Sequence, residues 1–157
     1  MAGSELVPRL LRAALLRFAG IQVKTANIMP GCTFANQDVE IGPGTFVNRE
    51  CFFEGPLKIG SGCIIGPRVC IVASTHPWAE TEGFERVAVP KPVVIEPDCW
   101  IGARVTIVAG VRIGRGVTVA AGAVVVRDCE EGMLYAGVPA RAVRKAGPSN
   151  RSMPADQ

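Results

Sequence analysis

The chain has 157 residues, a net charge of +3, 48% hydrophobic residues and only 6% aromatics. That length suits one ordinary domain with an aliphatic core. The charge is too small for a nucleic-acid footprint, and no apolar run approaches a membrane span. The 18 Gly and 12 Pro require many tight turns. Six cysteines show no C-x-x-C spacing, and one histidine is too few to join them, so a zinc cluster is not expected. No secretory signal precedes them, and they read as reduced thiols in a cytoplasmic protein.

The first element predicted is a helix over 4–19, with Ser4 as N-cap and Gly20 as stop. Leu6, Leu10, Leu11, Ala14, Leu15 and Phe18 form its apolar face. It is expected to cap the body, over 1–20, through Leu6, Leu10 and Phe18. Arg9, Arg12 and Arg17 also admit a helix lying on a membrane surface, the less favoured reading.

The body follows over 21–135, in hexads. From Ile41 they run IGPGTF, VNRECF, FEGPLK, IGSGCI, IGPRVC, IVASTH, and from Ile95 IEPDCW, IGARVT, IVAGVR, IGRGVT, VAAGAV, VVRDCE. Position one is Ile or Val in eleven of the twelve, and position five is small or β-branched almost throughout. Such residues favour extended backbone and can point into one narrow core. Glycine at position two, and Asn48 once, is read as supplying the positive φ of a corner. Three short strands and three corners make a triangular coil of about 18 residues, stacked through parallel pairing. The class is all-β, a single-domain parallel β-helix of about five coils. Cys51, Cys63, Cys99 and Cys129 all fall on position five, as small core residues. The one interruption, 77–92, is expected to protrude as a loop, and a tail over 136–157 ends in a stretch expected to lack order.

The hexads, the T-H-P segment at 75–77, W-I-G at Trp100–Gly102 and A-G-V-P-A-R at Ala136–Arg141 together resemble the hexapeptide-repeat acetyltransferases. The pattern is nearest the maltose, galactoside and nodulation-type sugar O-acetyltransferases. The resemblance implies a left-handed winding, which periodicity alone would not choose because crossovers are ordinarily right-handed. It further implies a homotrimer with acetyl-CoA bound between subunits and a small-molecule acceptor; composition and charge add the expectation of no metal, nucleic acid or membrane partner.

Chemistry is assigned to few residues. His76 closes the sixth hexad, and an imidazole suits proton removal from an attacking hydroxyl. Position alone leaves a structural histidine equally open; the resemblance places the general base in this segment. By the same resemblance Asn48 lines the acceptor and acyl site, where its amide would steady an oxyanion, and Glu54 binds the acceptor. Trp78 and Phe84, in the loop, are candidates for stacking on a sugar or on adenine, or equally for pinning the loop onto a neighbouring subunit. The resemblance puts Ala103 and Ala121 against the pantetheine arm, Val126 and Arg127 near the nucleotide, and Arg141 and Arg144 on CoA phosphates, which guanidinium suits. Trp100 is read as structural. A xenobiotic acetyltransferase of the same fold and a non-catalytic β-helix scaffold are the competing functions. A γ-class carbonic anhydrase would need more than one histidine.

Overall fold

The computed structural model describes residues 6–79, 83–84 and 86–147. It is a parallel β-solenoid of three faces. Face A carries Gln22–Val23, Val39–Ile41, Leu57–Ile59, Val93–Ile95 and Arg112–Ile113. Face B carries Phe46–Val47, Ile64–Ile65, Trp100–Ile101, Thr118–Val119 and Met133–Ala136; face C carries Thr33–Phe34, Phe52–Phe53, Cys70–Ile71, Thr106–Ile107 and Val124–Val125. The chain visits A, B and C in turn. Isolated bridges from Ile28 to Val47 and from Ile113 to Cys129 add partial rungs, giving about six turns. Hexad position one points inward on every face: Ile41, Ile59, Ile95 and Ile113 stack on A, Val47, Ile65, Ile101 and Val119 on B, and Phe53, Ile71, Ile107 and Val125 on C, all buried.

Position five is buried as well, except at Thr75, which is half-buried where the excursion begins. Cys51, Cys63, Cys99 and Cys129 are at most 4% exposed, with every thiol reduced. Their S–H groups donate to backbone carbonyls, as from Cys51 to Gly66 and from Cys99 to Gly114. Burial pushes the Cys129 thiol up to about 12.

The glycine reading needs correction. Positive φ occurs at position four of the hexad, at Gly44, Gly62, Gly110, Gly116 and Gly122, and at Glu50, Arg68, Asp98 and Arg104 where no glycine is present. The position-two glycines, Gly42, Gly60, Gly66, Gly102 and Gly114, are required for a different reason. A Cβ at any of them would lie 2.5–2.7 Å from the backbone of the next coil. Asn48, also at position two, lacks positive φ, so corner geometry does not explain its choice.

The helix, α1, spans Arg9–Phe18, a run of strong helix formers. Ser4 lies outside the described residues, and the N-cap position is Pro8, which makes no side-chain cap. Gly20, at φ 89°, ends the helix. The helix does cover the first coil, but with its other side. Ala13 and Leu16 join the core, and the nearly buried Arg12 donates from Nη1 to Ile28 O and from Nη2 to Val7 O, both at 2.7 Å. Leu6, Leu10 and Phe18, expected to make this contact, are 93%, 77% and 93% exposed. The open coil end presents orphan carbonyls as well as apolar surface, and a guanidinium satisfies what leucine cannot.

The interruption begins three residues before 77. Ser74–Thr75 pairs antiparallel with Val89–Pro90, and Trp78–Ala79 with Gly83–Phe84. It re-enters where the Lys91 N–H meets Ala73 O at 2.7 Å. At the other end the predicted tail opens as a strand: Arg141–Lys145 pairs antiparallel with Met133–Ala136. Residues 148–157, which include the end of the tail expected to lack order, lie outside the described residues.

Candidate active site

Which prism edge a residue occupies follows from the strand it leaves. Asn48 follows Val47 on face B and precedes face C, so it lies on the B–C edge. Ala103 and Ala121 occupy the same edge higher up, since Ile65, Ile101 and Val119 stack in register above Val47. Arg141, paired with Ala136, closes this edge at the far end, and Arg144 lies opposite Leu134 on face B; both are exposed. Glu54, Val126 and Arg127 lie on the C–A edge, because Phe53, Ile71, Ile107 and Val125 stack in register. His76 leaves from this edge too, five residues after Ile71, and is exposed. Trp78, on the same excursion, is 65% exposed. The structure therefore divides the predicted residues between two edges of one chain and brings neither group to the other.

The B–C edge holds a groove of ≈250 Å³ lined by Arg49, Glu50, Pro67, Arg68, Ala103 and Arg104. Arg68 donates from Nε to Glu50 at 2.6 Å and holds that carboxyl below its usual range. A larger concavity, ≈610 Å³, lies on face A among Lys24, Glu40, Lys58, Glu96 and Arg112 and holds none of the predicted residues. Its walls are an ion-pair ladder, Lys24 to Glu40 at 3.1 Å and Arg112 to Glu96 at 2.7 Å. The smaller groove is the one that touches a predicted residue, Ala103.

Asn48 is half-buried and firmly held. Its N–H donates to Ile65 O, and its Oδ1 accepts from Arg49 N–H at 2.8 Å. Its amide nitrogen, a donor, has no acceptor among the described residues. Its backbone carbonyl receives two thiols, Cys32 at 3.2 Å and Cys51 at 3.3 Å. The Cys51 hydrogen bond, aided by the Arg12 guanidinium, holds the Cys32 thiol below its ordinary value against the opposing effect of burial. The same pairing and burial push Cys51 up. Because the thiolate is the reactive form, brief iodoacetamide treatment is expected to label half-buried Cys32 ahead of Cys51, Cys70, Cys99 and Cys129, as peptide mass mapping will read. Earlier labelling of Cys99 or Cys129 would contradict these assignments.

Sequence reasoning missed the outward residues. Trp100 is 54% exposed, outside the core, stacked between Ile64 and Thr118. With Phe46 and Leu134 these residues make a ladder on face B that is apolar but for Thr118, whereas face A presents Gln22, Glu40, Lys58, Val94 and Arg112. The signal is hexad position six taken at every third hexad.

Residues 92–127 match the family described as bacterial transferase hexapeptide (six repeats). A putative acetyltransferase of Schizosaccharomyces pombe is 34% identical over 110 residues, 69% of this chain and 53% of that protein. The galactoside O-acetyltransferase of Lactococcus lactis is 29% identical, over 74% of this chain and 58% of that protein. The chain thus spans little more than half the length of these relatives. Among solved structures, a hexapeptide-repeat acetyltransferase of Vibrio cholerae complexed with acetyl coenzyme A is 29% identical at a TM-score of 0.78, covering 94% of this chain and 82% of that one. Repeat, fold and relatives agree: the chain belongs to the hexapeptide-repeat acetyltransferase family.

Proposed function

We propose that the protein transfers the acetyl group of acetyl-CoA to a hydroxyl of a sugar or similar small acceptor, at sites shared between neighbouring subunits of a homotrimer. The observation that carries this reading is the division of the site. His76, Glu54, Trp78, Val126 and Arg127 belong to the C–A edge, and Asn48, Ala103, Ala121 and Arg141 to the B–C edge. A second copy that sets its B–C edge against the C–A edge of the first completes the set, and the apolar ladder of face B supplies contact area for it. The acetyl-CoA complex of the Vibrio cholerae relative supports the donor, and the Lactococcus lactis relative supports a sugar hydroxyl as acceptor.

In this mechanism His76 removes the acceptor hydroxyl proton as the oxygen attacks the thioester carbonyl. The Asn48 amide donates to the oxyanion of the tetrahedral intermediate. Collapse expels the CoA thiolate, which takes the proton back from the imidazolium. Glu54 accepts hydrogen bonds from acceptor hydroxyls, and Trp78 covers the acceptor.

The direct test is an acceptor screen with radiolabelled acetyl-CoA, in which label is expected in hydroxylated sugars. Failure to bind acetyl-CoA would end the proposal, as would full activity from a stable monomer. Replacing Arg141 and Arg144 together by Ala is expected to raise the KM for acetyl-CoA by about 10-fold or more while kcat holds, since uniform binding is removed. An unchanged KM would place the phosphates elsewhere.

A further inference from the structure

The helix that plugs the first coil has a second face for which the prism offers no surface. Arg12, Ala13 and Leu16 turn toward the core end. Leu10, Ala14 and Phe18, at intervals of four, and Leu11, three before Ala14, therefore turn away from it. Leu10 is 77% exposed, Leu11 51% and Phe18 93%, and Leu6, just ahead of the helix, is 93% exposed. The proposed packing of a B–C edge against a neighbour's C–A edge runs along the sides of the prism, away from this end. The segment is also one-sided in charge. From Leu6 to Gln37 it carries Arg9, Arg12, Arg17 and Lys24 and no acidic residue. Arg12 is spent on the Ile28 and Val7 carbonyls; Arg17 donates from Nε to Val23 O at 2.8 Å but is exposed, like Arg9, beside the apolar face.

We propose that this face docks the protein on an anionic phospholipid surface, with α1 lying in the interface plane. Charge selects the occupant. A second copy placed end to end would bring Arg9 and Arg17 against their own counterparts, with no carboxylate on this segment to relieve them. A bilayer carrying anionic headgroups supplies both an apolar layer for Leu10, Leu11 and Phe18 and counter-charge for the arginines. The docking is peripheral, since no described helix is long and apolar enough to cross a membrane. This departs from the sequence expectation of no membrane partner. That expectation consumed Leu6, Leu10 and Phe18 in the cap, and the structure leaves them outside.

The test is co-sedimentation of the full chain with phosphatidylglycerol–phosphatidylcholine vesicles and with phosphatidylcholine vesicles alone. Partitioning onto the anionic vesicles is expected to exceed that onto the neutral ones by at least about tenfold, and to fall at high salt. The double variant Leu10→Gln, Phe18→Gln removes only exposed atoms from positions where glutamine is a good helix former. It is expected to lose vesicle binding by at least about tenfold, with unchanged circular dichroism and sedimentation coefficient. Wild-type protein left in the supernatant with anionic vesicles would overturn the proposal. Equal binding to both vesicle types would overturn it too, as would a double variant that dissociates to a smaller oligomer, which would make the face a contact between copies.

Discussion

His76→Ala is expected to lower kcat by about 10²–10⁴-fold, the usual worth of a positioned general base. The affinity for acetyl-CoA should stay near its wild-type value, because the proposed CoA contacts at Ala103, Ala121, Arg127 and Arg141 are untouched. The side chain is exposed on an excursion outside the prism, so the melting curve should not move either. That combination separates catalysis from architecture: a histidine holding the loop would cost stability and leave the rate per folded molecule intact. Steady-state kinetics with a true acceptor, beside CoA titration and thermal unfolding, decide it. Full turnover in the variant would falsify the proposed mechanism.

The second large effect concerns stability. Gly102→Ala should destabilise by about 3 kcal/mol or more, the upper range for overpacking, because the neighbour is backbone. Its Cβ would lie 2.6 Å from Ala121 N and 2.8 Å from Val119 O, which already accepts the Gly102 N–H. The coils would have to part or slide. Gly122→Ala, at φ 72° with no atom within 4 Å, should cost only about 1 kcal/mol, the penalty of left-handed backbone without a clash. At this chain length 1 kcal/mol moves the melting midpoint by roughly 2–4 °C. Calorimetry on the pair should therefore resolve a clear gap, and equal midpoints would mean that coil spacing is softer than the geometry implies.

These two glycines show where the sequence was legible and where it was not. Inward residues repeat every six positions whichever face they occupy, so Ile41, Ile59, Ile95 and Ile101 announced the core and Cys63 and Cys99 explained themselves. A hexad contains two conformationally distinct small-residue positions, however, and composition cannot say which glycine bends the chain and which yields to the next coil. Arg68 and Arg104, left-handed without being glycine, hid the bending position further. Outward residues repeat only every third hexad, so the apolar ladder through Ile64 and Trp100 was lost among charged strands. The helix misled for a related reason. Its longest apolar stripe, through Leu10 and Phe18, faces outward, and the coil end takes Arg12, whose hydrogen bonds no hydropathy pattern carries. At the candidate site, His76 and Asn48 were singled out individually from their motifs. Their placement on different edges required the register of the strands.

The excursion that bears His76 leaves and re-enters the prism at one rung, closed by the Lys91 N–H on Ala73 O. The coils on either side pair as though it were absent: Leu57 meets Val93, and Ile71 meets Ile107. Insertion or deletion within it leaves every rung in phase, whereas a residue gained inside a coil shifts all the rungs above it. Natural variation should therefore collect here, and under the proposed function remodelling this segment would change what surrounds His76 and Trp78 while Asn48 and Glu54 stay on their rungs. Grafting the stretch between Ala73 and Lys91 from a relative is the corresponding engineering route, with the stacked isoleucines serving as an invariant chassis.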